Sequence, residues 1–275
     1  MKSIMLFTDL DGSLLNHFDY NFDAAVPLIR ELQNNGTPVI PNTSKTANEI
    51  ALICSEVGLS DGFICENGAA VYLPKTLSVS PEDDFDDCGD YWRKAFVQPR
   101  SHWQAILATV PEHLTDCFKS FAELGVSGIM EATGLPEENA LLSSQRQFNE
   151  PLMWLGSEAE KTEFIEFMED KGATLLQGGR FLHVGGNCDK STAMNWYAAY
   201  FKHQKGITED ISTIAIGDSG NDIAMLEAAT AAVVVKAPEK PYPEITKDSA
   251  VFYTQAIAPE GWDEGVRAAI NALTA

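Results

Sequence analysis

A chain of 275 residues with 45% apolar and 21% charged side chains has the make-up of a soluble globular protein, with room for one large domain or two modest ones. Asp and Glu number 40 against 19 Lys and Arg, a net charge of −21. Such a chain is repelled by nucleic acid and by anionic membranes, so neither is an expected partner. No apolar run approaches the roughly 20 residues that cross a bilayer. The N-terminal run is too short for a secretion signal. Cys54, Cys65, Cys88, Cys117 and Cys188 form no closely spaced pair, which predicts reduced thiols in a cytoplasmic protein.

Strand and helix signals alternate at the start of the chain. Residues 3–8 read as a buried strand and 23–34 as a helix closed by Gly36. A strand at 37–41 and a helix at 46–57 follow, then strands at 62–65 and 69–73 around the turn Glu66-Asn67-Gly68. This order predicts a parallel sheet covered by helices. An acidic loop at 80–90 breaks the rhythm. Beyond it, helices are expected at 101–110, 115–124, 136–145 and 157–171, and strands at 151–155, 173–176 and 181–184. The alternation resumes with a helix at 190–204, a strand at 212–217, a helix at 222–229, strands at 231–235 and 251–253, and a helix at 259–273. The expected fold is α/β. A Rossmann-like parallel sheet core (residues 1–78 and 186–275) is interrupted by an inserted α+β domain (79–185).

The polar motifs fall at the carboxyl ends of the predicted parallel strands, where open α/β sheets build their sites. Asp9-Leu10-Asp11-Gly12-Ser13 follows the first strand, Thr43-Ser44-Lys45 the second, and Gly217-Asp218-Ser219-Gly220-Asn221-Asp222 the strand at 212–217. Lys190 opens the preceding helix. Residues two apart in an extended segment share a face, so Asp9 and Asp11 point the same way. This set suits phosphoryl transfer. A carboxylate can attack phosphorus, and a divalent cation with hard oxygen ligands offsets the crowded negative charge. A lysine and a hydroxyl can hold the phosphate oxygens, and a second carboxyl can serve as acid and then base.

These motifs resemble the four motifs of the haloacid dehalogenase superfamily, and the insertion resembles the α+β cap of its Cof-type branch. Within that branch the similarity is to the mannosyl-3-phosphoglycerate phosphatase family. It is carried by Asn42-Thr43-Ser44-Lys45-Thr46, Glu66-Asn67-Gly68-Ala69, Gln145-Arg146-Gln147-Phe148-Asn149-Glu150-Pro151, Gln177-Gly178-Gly179-Arg180-Phe181-Leu182-His183 and Pro259-Glu260-Gly261-Trp262. The resemblance implies a Mg²⁺-dependent phosphatase acting on a small anionic sugar phosphate, a glycosyl-3-phosphoglycerate, with the mannosyl ester the first candidate. Asp9 is then the nucleophile and Asp11 the acid and base, with Thr43 and Lys190 beside them. Asp9, Asp11, Asp218 and Asp222 are the candidate metal-binding carboxylates. Ser13 and Gln147 depart from the family pattern, the first keeping its hydroxyl and the second replacing an acidic residue.

Arg146 and Arg180 are scarce cations in an acidic chain, and a guanidinium suits the carboxylate of a phosphoglycerate. With Lys45, Lys190 and a bound Mg²⁺ they are expected to draw in an anion despite the net charge. His183 and Glu66 are candidates for sugar hydroxyls, and Ser44, Asn67 and Asn221 complete the expected substrate contacts. The competing readings are another sugar-phosphate phosphatase, of sucrose-phosphate or hexose-phosphate type, and a non-catalytic phospho-acceptor module. The large insertion speaks against the last.

Overall fold

The computed structural model describes residues 3–77, 84–177 and 180–275. Its strands and helices in chain order are β1 (Ile4–Thr8), α1 (Val26–Asn34), β2 (Val39–Pro41), α2 (Ala47–Val57), β3 (Phe63–Cys65), β4 (Ala70–Pro74), β5 (Asp86–Cys88), β6 (Tyr91–Ala95), α3 (Arg100–Leu107), β7 (Phe118–Ser120), α4 (Phe121–Thr133), α5 (Glu137–Ser144) and β8 (Glu150–Trp154). They continue with α6 (Glu158–Glu169), β9 (Thr174–Gln177), β10 (Leu182–Gly185), α7 (Lys190–Gln204), β11 (Ser212–Gly217), α8 (Ile223–Ala228), β12 (Ala231–Val234), β13 (Val251–Tyr253) and α9 (Glu260–Thr274). None of the described helices is long and apolar enough to cross a membrane. The chain divides into two compact units. One comprises Met1–Ser44, Leu52–Lys94 and Asp189–Ala275, the other Lys45–Ala51 and Ala95–Cys188.

The first unit is built on a parallel sheet ordered β13-β12-β11-β1-β2. Met5, Leu6, Phe7 and Thr8 of β1 have no exposed surface, as do all four residues of β12. A strand covered on both faces reads as an unbroken apolar run, which is why residues 3–8 and 231–235 were legible. The chain runs from β1 to β2 on one side and later places β11 on the other. The strand order therefore reverses between β1 and β11, where open α/β sheets hold their ligands.

One expected strand of this sheet goes elsewhere. β3 pairs antiparallel with β4, Phe63 opposite Tyr72 and Cys65 opposite Ala70. The two belong to a separate sheet ordered β3-β4-β6-β5. A parallel bridge between Asn42 and Ile64 ties β3 to the end of β2. The cause is the turn at Glu66-Asn67-Gly68, all three with positive φ, which folds the chain straight back. Residues 84–94, expected in the insertion, also stay with the first unit. The β5–β6 hairpin is fastened by Lys75–Asp87 and Arg93–Asp86 ion pairs at 2.6 and 2.8 Å, and Phe85 rests against Trp196 and Tyr200 of α7. The expected boundary at residue 79, and part of the acidic loop at 80–90, lie outside the described residues.

The second unit carries an antiparallel sheet ordered β7-β8-β10-β9. Leu114, Leu152, Phe164, Met168 and Val184 form its fully buried centre. The helix expected at 115–124 is replaced by three short pieces. A 3₁₀ turn, Glu112–Cys117, leads into β7, and α4 starts only at Phe121. Phe118 and Ser120 are buried and Lys119 is exposed, a strand alternation too short to register against the helical spacing around it. Pairing with β8 decides it, and Ser120 then caps α4. Its hydroxyl accepts from Glu123 N at 3.2 Å while Glu123 reaches back to Ser120 N at 2.8 Å.

In the first unit, α9 reaches β1 through a buried hydrogen-bond chain. Trp262 Nε1 donates to Thr8 Oγ1 at 3.0 Å, and Thr8 Oγ1 donates to the Asp9 carbonyl at 2.7 Å. Trp262→Phe removes the donor and part of the ring. It is expected to lower stability by about 1–3 kcal/mol, read from urea unfolding.

Candidate active site

Asp9 follows β1 and Asp218 follows β11, the strands on either side of the sheet's reversal point. Asp9 N donates to the Ile216 carbonyl at 2.8 Å, which locks the two strand ends together. Lys190, at the start of α7, has no exposed surface. Its Nζ meets Asp9 Oδ1 and Asp222 Oδ1, both at 2.6 Å. Asp222 Oδ2 is occupied in turn, accepting from Asp218 N and Ser219 N at 3.1 Å and from Ser219 Oγ at 3.2 Å. Asp222 thus folds the 218–222 loop onto the lysine, and both of its oxygens are already engaged.

The turn after Asp9 is shaped to face Asp218. Gly12 has φ +78°, and a Cβ there would stand 2.8 Å from Asp218 Oδ2. Ser13 Oγ lies 3.5 Å from Asp218 Oδ1. Asp11 is half-buried in the same turn, and its charge bears on Asp9. Carboxylate oxygens of Asp9, Asp218 and Asp222 lie within 4.8 Å of one another. Burial raises Asp9 to about 7; Lys190 opposes the shift, and Asp222 and Asp11 add to it. Burial, then Asp222, raises Asp218 to about 6. Burial works against the charge of Lys190, but Asp222 and Asp9 outweigh it and push its pKa up. One ammonium is too little for this much carboxylate. An oxygen-rich, under-neutralised cluster fits a hard divalent cation such as Mg²⁺.

The loops beside the cluster are interlocked. Thr43 is fully buried, and its carbonyl accepts from Asn67 N at 2.9 Å. Asn67 Oδ1 accepts from Asn221 Nδ2 at 3.1 Å. Glu66 and Asn67 hold φ of 48° and 60°, conformations that a side-chain-bearing residue adopts at a cost of order 1–3 kcal/mol. A Cβ on Gly68 would fall 2.1 Å from the Asp189 carbonyl, so the turn can press against the start of α7 only as glycine. Glu66 itself is 1% exposed.

The expected residues of the second unit divide. Arg146 Nη1 donates to Asn149 Oδ1 at 3.1 Å. His183 lies within reach of the Arg146 charge, and its buried Nδ1 has no hydrogen-bond partner. Burial, then Arg146, lowers His183 to about 3, so its ring is neutral near pH 7. Arg180 is exposed and donates to the Ala132 carbonyl at 2.5 Å, holding the end of α4. Gly178 and Gly179 of its motif lie outside the described residues. Ser44 and Lys45 are half-buried, Ser44 closing the first unit's N-terminal stretch and Lys45 opening the second unit. Lys190 is buried, and its charge is shared between two carboxylates.

The pattern of the haloacid dehalogenase-like hydrolases matches residues 6–87 and 156–247. A glucosyl-3-phosphoglycerate/mannosyl-3-phosphoglycerate phosphatase of Persephonella marina is 32% identical over 274 residues, covering 98% of each chain. One of the same name from Methanococcoides burtonii is 30% identical over 266 residues, 97% of this chain and 96% of that one. This chain belongs to the haloacid dehalogenase-like hydrolases. It is a phosphoric monoester hydrolase. Among solved structures, a phosphatase of the haloalkanoate superfamily from Bacteroides thetaiotaomicron shares the fold, with a TM-score of 0.67 at 18% identity over 98% of this chain and 95% of that one.

Several residues that shape this hydrolase's site were not legible as such. Asn42 Nδ2 donates to the Lys190 carbonyl at 2.9 Å, tying the end of β2 to α7. Asp189 caps α7 by accepting from Thr192 N at 2.8 Å. Its position just before Lys190 was the available signal. His17 is exposed, and its charge opposes the rise of Asp218. No local pattern in the sequence marks it.

Lys190→Met leaves Asp9 and Asp222 buried without a counter-charge. It is expected to cost roughly 3–5 kcal/mol in urea unfolding and to abolish phosphate release. His183 gives a pH signature. Between about 3 and its ordinary 6.5 the unfolded chain binds a proton that the folded ring refuses. Its contribution to stability is therefore complete above pH 6.5 and is lost as pH falls through that window. His183→Gln is expected to flatten the acid limb of the stability profile by up to about one proton.

Proposed function

We propose that this hydrolase releases phosphate from a glycosyl-3-phosphoglycerate, mannosyl or glucosyl, through an aspartyl-phosphate on Asp9 with Mg²⁺ as cofactor. The chemistry rests above all on the buried Asp9–Lys190–Asp222 contact with Asp218 facing it across the sheet's reversal point. The substrate reading is supported by relatives at 32% and 30% identity over nearly the whole chain, both named for the glucosyl and mannosyl esters.

Lys190 takes one oxygen of Asp9 and leaves the other to attack phosphorus. As that bond forms, the bond from phosphorus to the glycerate 3-oxygen breaks, and Asp11 gives its proton to the departing oxygen. Asp11, now a carboxylate, takes a proton from water as the water oxygen attacks the phosphorus. Asp9 is released as a carboxylate and phosphate leaves. Thr43 steadies a phosphate oxygen through the transition state, while Lys190 holds Asp9 and Asp222 in place beside it. When bound, Mg²⁺ supplies a Lewis acid that offsets the phosphate charge. Asp9 and Asp218 are its proposed carboxylate ligands, while Asp222, both of its oxygens hydrogen-bonded, acts as their brace. In the second unit, Arg146 takes the glycerate carboxylate as a bidentate partner and the neutral His183 takes a sugar hydroxyl. The product is a glycosylglycerate, a compatible solute, made in the cytoplasm.

Phosphate release from mannosyl- and glucosyl-3-phosphoglycerate, sucrose 6-phosphate, hexose phosphates and 3-phosphoglycerate tests this, with Mg²⁺ or EDTA and with wild type, Asp9→Asn and Asp218→Asn. The expected result is a strong preference for the glycosyl-3-phosphoglycerates that EDTA and either substitution removes. Preference for a hexose or sucrose phosphate would overturn the substrate, and activity that survives Asp9→Asn would overturn the mechanism.

A further inference from the structure

The second unit holds a buried ion pair that the hydrolysis does not use. Arg100 opens α3, and its Nε and Nη2 donate to Glu150 Oε2 and Oε1 at 2.5 and 2.8 Å. Glu150 has no exposed surface. Gln104 Nε2, at 2.8 Å, and Ala122 N, at 3.2 Å, fill its remaining acceptor positions. The other donors of Arg100 reach a different target. Nη1 donates to the Ser144 carbonyl at 2.8 Å, and its backbone N donates to the Gln147 carbonyl at 2.6 Å. Arg100 therefore grips the chain on both sides of Arg146, and Glu150 anchors the same stretch at its far end. Residues 145–149 belong to no helix or strand, so these bonds replace the ladder that would otherwise fix them.

We propose that the Arg100–Glu150 pair is a positioning device that aims Arg146 at the substrate carboxylate, and so sets the preference for phosphoglycerate esters over plain phosphate esters. This rests on the role given to Arg146 above. Stability alone does not call for such a pair. Well-packed apolar residues in place of a buried ion pair often leave a fold as stable or more so. A planar guanidinium fork supplies direction, which apolar packing does not. Arg146 Nη1 also donates to Asn149 Oδ1 at 3.1 Å, inside the same stretch, so the bonds that Arg100 and Glu150 make to residues 144–150 bear on where that guanidinium lies.

The test compares Arg100→Met/Glu150→Leu, Arg146→Ala and the triple variant, each assayed on mannosyl-3-phosphoglycerate and on p-nitrophenyl phosphate, which has no carboxylate. The double variant is expected to raise KM for the glycerate ester about tenfold while kcat stays within about twofold. Its kinetics on p-nitrophenyl phosphate should not move, and it should add nothing to Arg146→Ala in the triple variant. Should the double variant not fold, Arg100→Lys keeps the charge, loses the fork and is read in the same way. An unchanged KM beside a raised one for Arg146→Ala overturns the proposal, as do additive effects or equal losses on both substrates. If Arg146→Ala itself leaves KM unchanged, the carboxylate reading fails and the positioning role falls with it.

Discussion

Lys190 carries its charge where no surface is exposed, and two carboxylates meet it there at 2.6 Å. Much of the site follows from that contact. The ammonium draws Asp9, from the end of β1, and Asp222, from the loop after β11, to one point. Asp222 uses its second oxygen to wind the 218–222 loop and so sets Asp218. The lysine's own backbone carbonyl receives Asn42, which brings in the end of β2. A buried ion pair contributes little net stability once desolvation is counted, but a missing partner is severe. The contact is therefore better understood as geometry held at low net cost than as a source of fold stability.

The charge balance around this point explains why an acidic protein can work on an anion. Lys190 is consumed by Asp9 and Asp222, and Asp218 and Asp11 add further negative charge. Burial and the neighbouring charges hold Asp9 and Asp218 above their ordinary range. A divalent cation would return them to carboxylates and present positive charge to a phosphate. The net charge of −21 then concerns the surface, while attraction for substrate is a local matter.

The second unit solves a different problem. It has a polar pair, Arg100 with Glu150, and Glu150 has no exposed side-chain surface and sits opposite Val184 in the sheet. The pair organises an irregular stretch, much as Lys190 organises loops at the strand ends of the first unit. In both cases a long cationic side chain joins segments far apart in sequence. Local hydrogen bonds could not hold them.

The sequence by itself determined the alternating core, because strands buried on both faces leave unbroken apolar runs and helices leave a 3.6-residue stripe. It also marked Asp9, Asp11, Thr43, Lys190 and Asp218, since each sits at a strand end or helix start that local pattern reveals. Only the tertiary structure decided that Phe63–Cys65 turns away from the parallel sheet, that Phe118–Ser120 is a strand, and that β5 and β6 stay with the first unit. Three-residue strands carry too little periodicity to be read without their partners. Nor could the sequence reveal that Asp222 is a brace, that Arg180 is bound to a helix end or that Arg100 pairs with Glu150. Those roles belong to contacts spanning 32, 48 and 50 positions, and such contacts exist only once folding has brought distant segments together.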